Sequence, residues 1–547
     1  MTAIDSENII NVSTDASDHI FTIEKKTSLE NSTVDYETAI KLCGYGRFHY
    51  GFTILCGIIF LFGGCQSSVN AYIIPAAECD LKLNSNQKGM LHIAFLLGGL
   101  SSSLLWGILA NAYGRKTIIV STLLLDSIFT FISTMSQSFQ ALIIFRAIAG
   151  VTIGAPGSLI YTYLGELTAP KQRVKSICFV GFCWTLASFV LPGLAWIIIP
   201  LRFSYYFNGY LFNSWRLYLG IIGIPLFICG FILMAYPESP KYLLSRGKKK
   251  EALMILQQIY AINTKQDKLN FPVLELKITS NEANNSTNIT DENTIDDSSS
   301  CTIIQRLLKN AWKQIKTITS PPFRKYAILC WIVYFTNMYG WYGFGIWLPE
   351  LFNRFENYYE LHPNGTTASV CKLITVNNNQ IINALSDCDH WTINSNVFMQ
   401  TLAINAASAT GIIICGCVSN RLKRNTIPVL ASLIAGIAGY VIYTVNSSTQ
   451  IIIVACIFCV MMASANIVIT SVVIDIFPTH VNALAICLTS AAGRIGAIVS
   501  NLAFGLLVDN NCETLIFMIA TIVIFGSLLC HLIPNDKPSK IFQQSID

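Results

Sequence analysis

Charge is scarce in this sequence. Only 12% of its 547 residues are Asp, Glu, Lys or Arg, whereas 53% are hydrophobic. Soluble domains carry roughly 25% charged residues, so the missing charge indicates a surface that faces lipid. The composition therefore excludes an ordinary soluble protein and favours an integral membrane protein.

The sequence also lacks the patterns that carry chemistry in enzymes. It contains no Walker loop, and its 18 cysteines show no zinc-site spacing. The glycines Gly150 and Gly154 lie inside an apolar run, where close helix packing explains them. We expect no catalytic activity, no cofactor, no metal and no nucleic-acid partner.

Long apolar runs, in contrast, are frequent. A transmembrane helix needs about 20 apolar residues, and the sequence contains twelve runs of this kind. We therefore predict an all-α polytopic membrane protein with twelve transmembrane helices in two six-helix halves. The runs lie near 48 to 74, 88 to 112, 117 to 136, 139 to 166, 176 to 200, 215 to 236, 326 to 352, 395 to 419, 426 to 445, 450 to 476, 481 to 507 and 512 to 533.

Basic residues are unevenly distributed among the connections between these runs. The connections after the third, ninth and eleventh runs hold no Lys or Arg, whereas those after the second, fourth and eighth do. Basic loops stay in the cytoplasm, so we expect both termini and the middle loop to be cytoplasmic. No basic stretch leads into a cleavable apolar segment, and we expect no signal peptide.

These features divide the chain into five parts. Within the middle loop, Glu251 to Tyr260 has the spacing of an amphipathic helix, and 279 to 300 is polar enough to be disordered. Residues 301 to 319 fit a helix along the inner leaflet or a solvated linker. The parts are a cytoplasmic tail (1–47), a six-helix half (48–236), the middle loop (237–325), a second half (326–533) with a lumenal loop (353–394), and a cytoplasmic tail (534–547).

The lumenal loop carries three predicted modification sites. Cys371 and Cys388 lie together in an oxidising compartment, and we expect them to form a disulfide; the alternative is two unpaired thiols. Most other cysteines lie inside spans and act as small hydrophobic residues. Asn364 is the glycosylation acceptor that this topology leaves on the lumenal side.

A charged turn is repeated once in each half. Gly107 to Thr117 reads GILANAYGRKT, and Gly416 to Arg424 reads GCVSNRLKR. Such a repeat indicates a duplicated helix bundle of the kind that transporters use. Arg115 and Lys116 can contact helix ends and form a cytoplasmic latch with Glu166 or Glu238; the alternative is that they only orient the chain. The predicted gate comprises Gly107, Asn111, Gly114, Arg115, Lys116, Glu166, Arg173, Glu238, Asn420, Arg424 and Asp475.

Few charges remain within the apolar runs, and they are candidates for a substrate path. Arg146 and Asp126 lie at similar depth, so an ion pair between them is the structural alternative for both. Arg494 suits an anionic substrate or a carboxylate of another helix, or else it anchors the core through backbone carbonyls.

Aromatic and amide side chains provide candidates for the wall of a central cavity. Aromatic boxes recognise organic cations and flat amphipathic solutes, although interfacial or packing roles are an alternative for each residue. The predicted path comprises Arg146, Arg494, Gln66, Asn70, Trp184, Asn337, Tyr339, Trp341, Tyr342 and Asn466, and Trp347 is a further aromatic candidate.

Several motifs resemble those of a known family. The turn at Gly107, together with Ile74 to Glu78 (IPAAE), Gln87 to Leu91 (QKGML), Pro237 to Pro240 (PESP) and Trp341 to Glu350 (WYGFGIWLPE), is similar to the major facilitator superfamily and, within it, the synaptic vesicle glycoprotein 2 group and its insect relatives. The resemblance covers about residues 40 to 535. It implies alternating access around a central site between two halves.

The sequence departs from that family at charged positions. The family's loop Asp is Asn111 here, and the second copy has Asn420, so we expect a softened cytoplasmic gate. Gly63 and Gln66 stand where relatives carry acids in the first span, and Asn466 and Thr470 replace a Trp and an Asp. Proton or cation coupling through those carboxylates is not expected.

The function we expect is transport of a small organic solute by a monomeric multi-pass protein in the plasma membrane or a vesicle membrane. One alternative is a vesicle protein with little or no transport that acts through protein partners, bound by the lumenal loop or a cytoplasmic tail. Another is a plasma-membrane porter for sugars or organic ions.

Overall fold

The computed structural model describes most of the two helical halves. Its helices confirm the all-α membrane fold class. The described residues are 33–201, 203–207, 209–277, 309, 312–313, 315–321, 323–361, 371, 394–419, 426–445, 447–477 and 479–533.

The first half contains long helices that follow one another through short turns. The predicted first span is broken into two helices, α2 and α3, and α3 ends at Lys82 in a left-handed conformation. The helices are α1 (Tyr36–Leu42), α2 (Arg47–Ser68), α3 (Asn70–Leu81), α4 (Ser85–Tyr113), α5 (Arg115–Thr134), α6 (Phe139–Glu166), α7 (Pro170–Ile198), α8 (Ser214–Met234), α9 (Pro240–Ser245) and α10 (Lys249–Thr264).

The second half repeats this arrangement. Its first predicted span is interrupted by a π-helical turn, Trp341–Gly345, and the helix that follows runs to Leu361, beyond the predicted start of the lumenal loop at 353. The helices are α11 (Arg324–Gly340), α12 (Leu348–Leu361), α13 (Ser395–Ser419), α14 (Thr426–Thr444), α15 (Ser448–Ile476), α16 (Thr479–Leu507) and α17 (Cys512–His531).

Ten helices in the described ranges are long and apolar enough to cross a membrane. An eleventh, α4, bends by 45° after Ser102. The remaining predicted span is α11 with its π-helical turn. The interruption explains why it is shorter than a single continuous span.

Local sequence signals account for several helix ends. Asn84 and Gln87 form a reciprocal capping box at the start of α4, which satisfies backbone N–H groups that have no partner within the helix. Pro170 begins α7, a position where its missing N–H costs nothing. The glycines Gly150 and Gly154 lie where α6 meets α4, and a Cβ on Gly154 would lie 2.7 Å from Ser102 Oγ. Close helix packing at these glycines is thereby confirmed.

The two halves contact each other through α4 and α16 and through α7 and α13. We name each end of the bundle after one of its residues. The Arg115 end contains the turn between α4 and α5, and the Lys88 end contains the start of α4 and the helix α12.

Two small sheets lie outside the bundle. At the Arg115 end, β1 (Thr33–Asp35) pairs in parallel with β4 (Glu275–Lys277), and α1 and α10 pack beside them. We call β1, α1, α10 and β4 the cap. At the Lys88 end, β2 (Ser204–Phe207) and β3 (Tyr210–Asn213) form an antiparallel hairpin between α7 and α8.

Candidate substrate path and its two ends

A cavity with about 780 Å³ of empty space lies between the halves. Its walls come from α2, α3 and α7 of the first half and from the π-helical turn, α12, α13 and α15 of the second. The lining residues are Gly64, Ser68, Ala71, Tyr72, Trp184, Ala187, Ser188, Leu191, Pro192, Trp341, Gly345, Ile346, Leu348, Pro349, Thr401, Ile404, Asn405 and Cys459.

The described lining residues are aromatic, aliphatic or polar, and none of them carries a charged side chain. Trp184 and Trp341, two of the predicted path residues, both line it, and Trp184 is 40% exposed. The amide of Asn405 donates a 2.6 Å hydrogen bond to the Ser188 carbonyl, which joins the halves beside the cavity. This chemistry suits an uncharged solute.

Gln66 and Arg146 lie in a buried polar cluster of the first half and are not among the lining residues. Gln66 donates to Asp126 Oδ2 at 3.1 Å, and Thr152 donates to Asp126 Oδ1 at 2.9 Å. Arg146 donates to the Gln66 carbonyl at 3.0 Å. The expected alternative, a direct ion pair between Arg146 and Asp126, is wrong because Gln66 lies between the two side chains.

Asn70 and the amides of the second half are also engaged within the protein. Asn70 donates to the Leu91 carbonyl at 3.2 Å, which ties α3 to α4. Asn337 and Asn466 bind each other across α11 and α15. These contacts use part of the hydrogen-bonding groups that the sequence offered for a substrate, while the buried Oδ1 of Asn337 has no partner among the described residues.

The aromatic candidates of α11 and the π-helical turn differ in how deeply their side chains are buried. Tyr339 is 1% exposed and packs in the core, whereas Tyr342 is only partly buried. Trp347 donates to Asn501 Oδ1 at 2.9 Å and stacks on Phe504. The packing alternative is therefore confirmed for Trp347.

Arg494 connects the two halves through a backbone carbonyl. Its guanidinium donates to the Gly99 carbonyl in α4. This is the anchoring role that the sequence left open as an alternative. The structure gives no support to an anion site built on Arg494 and Arg146 together.

A buried ion-pair cluster joins the halves at the Lys88 end. Lys88, fully buried in α4, binds Glu78 of α3 at 2.7 Å and Glu350 of α12. Arg354 binds Glu350 and Asp509, each at 2.9 Å, and donates to Ser85 Oγ. We call Glu78, Lys88, Glu350, Arg354 and Asp509 the Lys88 cluster. Its charges are buried but paired, as buried charges must be.

Glycine packing closes the same end of the bundle. A Cβ on Gly89 would lie 2.9 Å from the Asn501 carbonyl, and one on Gly505 would lie 3.0 Å from the Ser85 carbonyl. The backbones of α4 and α16 therefore approach as closely as glycine allows. The Lys88 end is shut in this conformation.

The Lys88 cluster was not predicted, although the sequence contains a signal for it. Glu78, Lys88 and Glu350 all lie in motifs that were used only to recognise the family. Charges of opposite sign at the ends of different spans are expensive to bury unless paired. That rule points to partners among these three residues, although it does not say which ones.

At the Arg115 end, Glu238 caps the start of α5. Its carboxylate accepts hydrogen bonds from the backbone N–H groups of Arg115 and Lys116, both at 3.0 Å. A carboxylate is favoured there because the helix N-terminus is positively polarised. Glu166 binds Arg115 Nε at 3.2 Å and accepts from Ser239 Oγ at 2.6 Å. Both carboxylates that the sequence offered as alternatives thus take part.

Further contacts fasten this Arg115 cluster to the first half. Lys116 donates to the Met234 carbonyl at the end of α8 at 2.7 Å, and Arg173 binds Glu37 at 3.2 Å. All these partners belong to the first half. Within the part of the chain that the structure describes, the predicted latch holds helices of one half together and does not join the halves.

The other predicted gate residues fall into three groups. Gly107 faces open space, and Asn111 is exposed, with only its carbonyl accepting a weak bond from Arg246. Gly114 adopts a backbone conformation with φ +104°. Asn420, Arg424 and the side chain of Asp475 lie outside the described residues.

The predicted pairing of Cys371 is wrong. Cys371 forms its disulfide with Cys512, the first residue of α17, and Cys79 is also disulfide-bonded. Cys512 is the first residue of the last predicted span, and the structure places it at the start of α17. Cys388 and the glycosylation candidate Asn364 lie outside the described residues.

The sequence matches one family model along most of its length. The model describes the Major Facilitator Superfamily and matches residues 55–376 and 381–546. The chain belongs to the Major Facilitator Superfamily.

Curated relatives include synaptic vesicle glycoproteins. The chain is 27% identical to synaptic vesicle glycoprotein 2A of Rattus norvegicus over 346 residues, which are 61% of this chain and 45% of the relative. It is 28% identical to synaptic vesicle glycoprotein 2B of Mus musculus over 348 residues, which are 61% and 50%. The match thus spans about half the length of these relatives.

Solved structures share the fold. The xylose transporter XylE from E. coli, in a partially occluded inward-open conformation, has a TM-score of 0.58 and 14% identity, covering 88% of this chain and 98% of that chain. A D-xylose-proton symporter has a TM-score of 0.59 over 88% and 97%. At this identity the likeness concerns the fold alone.

Proposed function

We propose that this protein moves a small, uncharged organic solute across a membrane by alternating access. The observation that carries the proposal is the cavity between the halves, together with the buried Lys88 cluster, which joins the halves at one end of the bundle. A central site closed at one end by contacts that can separate is what alternating access requires.

The Arg115 end is the cytoplasmic end in this proposal. Lys116, Lys171 and Lys175 lie there, and basic loops remain cytoplasmic. The solute then enters or leaves from the cytoplasm in the present conformation, and the Lys88 end opens to a lumen or the cell exterior. Both termini are cytoplasmic, and the protein works as a monomer in a plasma or vesicle membrane.

The lining of the cavity supports an uncharged substrate. A charged solute placed there would lose its hydration without meeting an opposite charge, which is costly in a low-dielectric site. Trp184 and Trp341 offer flat aromatic faces, while the Tyr72 hydroxyl and the Asn405 amide offer hydrogen bonds. A solute with one flat apolar face and a few hydroxyl or amide groups fits this set.

Uptake by vesicles containing the purified protein tests the proposal. A panel of neutral, cationic and anionic metabolites is offered with and without a pH gradient. We expect flux of a neutral solute, reduced up to about tenfold by Trp184→Ala, because an aromatic contact contributes up to about 1.5 kcal/mol and about 1.4 kcal/mol corresponds to a tenfold change in affinity.

Trp196→Ala is the matched control, because Trp196 lies on the same helix, is equally exposed at 40%, and does not line the cavity. Equal loss in both variants contradicts the proposed site. No flux of any solute, combined with capture of a protein partner, favours the alternative of a vesicle protein that does not transport.

A further inference from the structure

A second groove lies outside the substrate path, at the Arg115 end. Its empty space of about 760 Å³ is bounded by the start of α2, the residues just after α8, and the cap helix α10. Its walls include Arg47, Ala235, Tyr236, Gln258 and Ile262, and no carboxylate lines it. Because α2 and α8 are membrane-spanning helices, the groove lies at the level where the membrane begins.

Arg47 is the one charged residue among the described residues that line this groove. Its side chain is exposed, and among the described residues it forms no ion pair and no side-chain hydrogen bond. Other arginines at the same end, Arg115 and Arg173, are bound to carboxylates. The guanidinium of Arg47 is therefore available to a ligand.

An apolar stripe continues from Arg47 along α2. Tyr50, Ile54 and Ile58 follow at offsets of 3, 7 and 11 residues, which places them on one helix face. They are 59%, 52% and 39% exposed. On a transmembrane helix such a face contacts lipid chains, so the cation stands at the head of a lipid-facing surface.

The cap helix provides the opposite wall with similar chemistry. Met254, Gln258 and Ile262 form a second row at offsets of four residues, and Met254 and Ile262 are 52% and 48% exposed. Gln258 and Ile262 reach the groove directly. Apolar side chains that remain exposed on a helix at membrane level are favoured by contact with lipid.

We propose that this groove binds an anionic glycerophospholipid of the adjacent leaflet. The phosphate and acidic headgroup bind Arg47, whose planar fork matches phosphate geometry, and an acyl chain follows Tyr50, Ile54 and Ile58. A free phosphate would use the cation but not the stripe. The lipid would thereby link the first and last spans of the first half to the cap.

Native mass spectrometry of the delipidated full-length protein tests this site. The protein is titrated with phosphatidylserine, with phosphatidylcholine and, separately, with inorganic phosphate. We expect one tightly bound phosphatidylserine and weaker phosphatidylcholine binding. Arg47→Gln should lower the phosphatidylserine affinity about fivefold, the effect of one basic residue near an anionic membrane surface.

Three further variants distinguish lipid binding in a defined groove from a general electrostatic attraction between the lipid and this end of the protein. Ala235→Trp fills the groove without changing charge and should also lose the bound lipid, whereas Arg47→Lys should retain part of the affinity. Lys171→Gln removes an exposed cation at the same end and should bind like the wild type. Size-exclusion profiles identify any variant that fails to fold.

Three outcomes overturn the proposal. If Ala235→Trp binds phosphatidylserine as well as the wild type, the lipid does not occupy the groove. If Arg47→Gln and Lys171→Gln lose affinity equally, the attraction comes from the overall charge of this end. Binding of inorganic phosphate that matches phosphatidylserine in affinity also contradicts it, because the apolar stripe then contributes nothing.

Discussion

At the scale of single residues, Gly114 combines two requirements that only glycine meets. Its φ of +104° with ψ of 152° belongs to a region that L side chains essentially do not adopt. A Cβ there would also collide with the Glu238 carboxylate that caps α5. The turn between α4 and α5 therefore depends on this glycine for both backbone conformation and space.

Gly114→Ala should destabilise the protein by about 1 to 3 kcal/mol, the usual cost of such backbone strain. Gly107→Ala in the same motif is the control, because a Cβ at Gly107 meets nothing within 4 Å. Thermal unfolding in detergent measures both. A midpoint for Gly114→Ala equal to that of Gly107→Ala would show that Gly114 bears no strain.

The charged residues of the repeated motif and two candidate partners were recognised from sequence, but the contacts that each partner makes were not. Arg115 was expected to bind one of two carboxylates, and it contacts both, Glu166 through its side chain and Glu238 through its backbone. Spacing in the sequence cannot decide between these two carboxylates, because residues 123 positions apart come together only when the helices pack. We expected Asn111, in place of the family's Asp, to soften the cytoplasmic gate. Among the described residues the Asn111 side chain forms no hydrogen bond that could account for such an effect.

At the scale of elements, the cap is the part of the fold that the sequence indicated least. The amphipathic pattern at 251 to 260 predicted a helix, and α10 (Lys249–Thr264) confirms it. The pairing of β1 with β4 was not predicted, because three-residue strands show no measurable alternation. Tyr36 joins the cap to the bundle by donating to the Glu166 carbonyl.

Cys43 reports whether the cap is docked. It is fully buried against α10, and burial raises the pKa of its thiol to about 12. Only the thiolate reacts with alkylating reagents, so at neutral pH Cys43 should react very slowly while the cap is in place. Undocking would both expose the thiol and lower its pKa toward the ordinary value.

Leu256→Ala should therefore accelerate alkylation of Cys43. Leu256 is fully buried on α10, and truncating a buried leucine costs about 2 to 5 kcal/mol. Met254→Ala, an exposed position on the same helix, is the control. Peptide mass spectrometry measures the labelling rate of Cys43. Equal rates in the two variants would show that α10 does not shield Cys43.

At the scale of the whole molecule, the Lys88 cluster controls the distance between the halves at one end. Lys88 and Glu350 come from different halves and are almost completely buried. Removing Lys88 leaves Glu78 without its cation and Glu350 bound to Arg354 alone, and breaking a buried pair in this way costs about 3 to 5 kcal/mol. Opening that end would hydrate the remaining charge, so the penalty falls on the closed conformation.

Lys88→Met should accordingly favour an open Lys88 end. Hydrogen–deuterium exchange is expected to rise at the starts of α4 and α12. Lys249→Met breaks an exposed pair with Glu275, whose partners are 39% and 61% exposed, and exposed pairs contribute at most about 1 kcal/mol. Unchanged exchange at both helix starts in Lys88→Met would mean that the cluster does not hold this end shut.

The sequence by itself determined the class of the fold. Hydrophobic runs, the repeated turn and the family motifs depend on properties that each segment carries alone, namely length, polarity and local turn chemistry. Two of the predicted wall residues, Trp184 and Trp341, also reach the cavity. Their aromatic character at mid-span was a usable signal.

Only the tertiary structure decided which side chains meet. It placed Gln66 between Arg146 and Asp126, paired Cys371 with Cys512, and brought Lys88 to Glu350 across 262 positions. Ion pairs, disulfides and cavities depend on distances between helices, and these distances follow from the packing of all helices at once. For that reason the charges were visible in the sequence, while the closed end that they form was not.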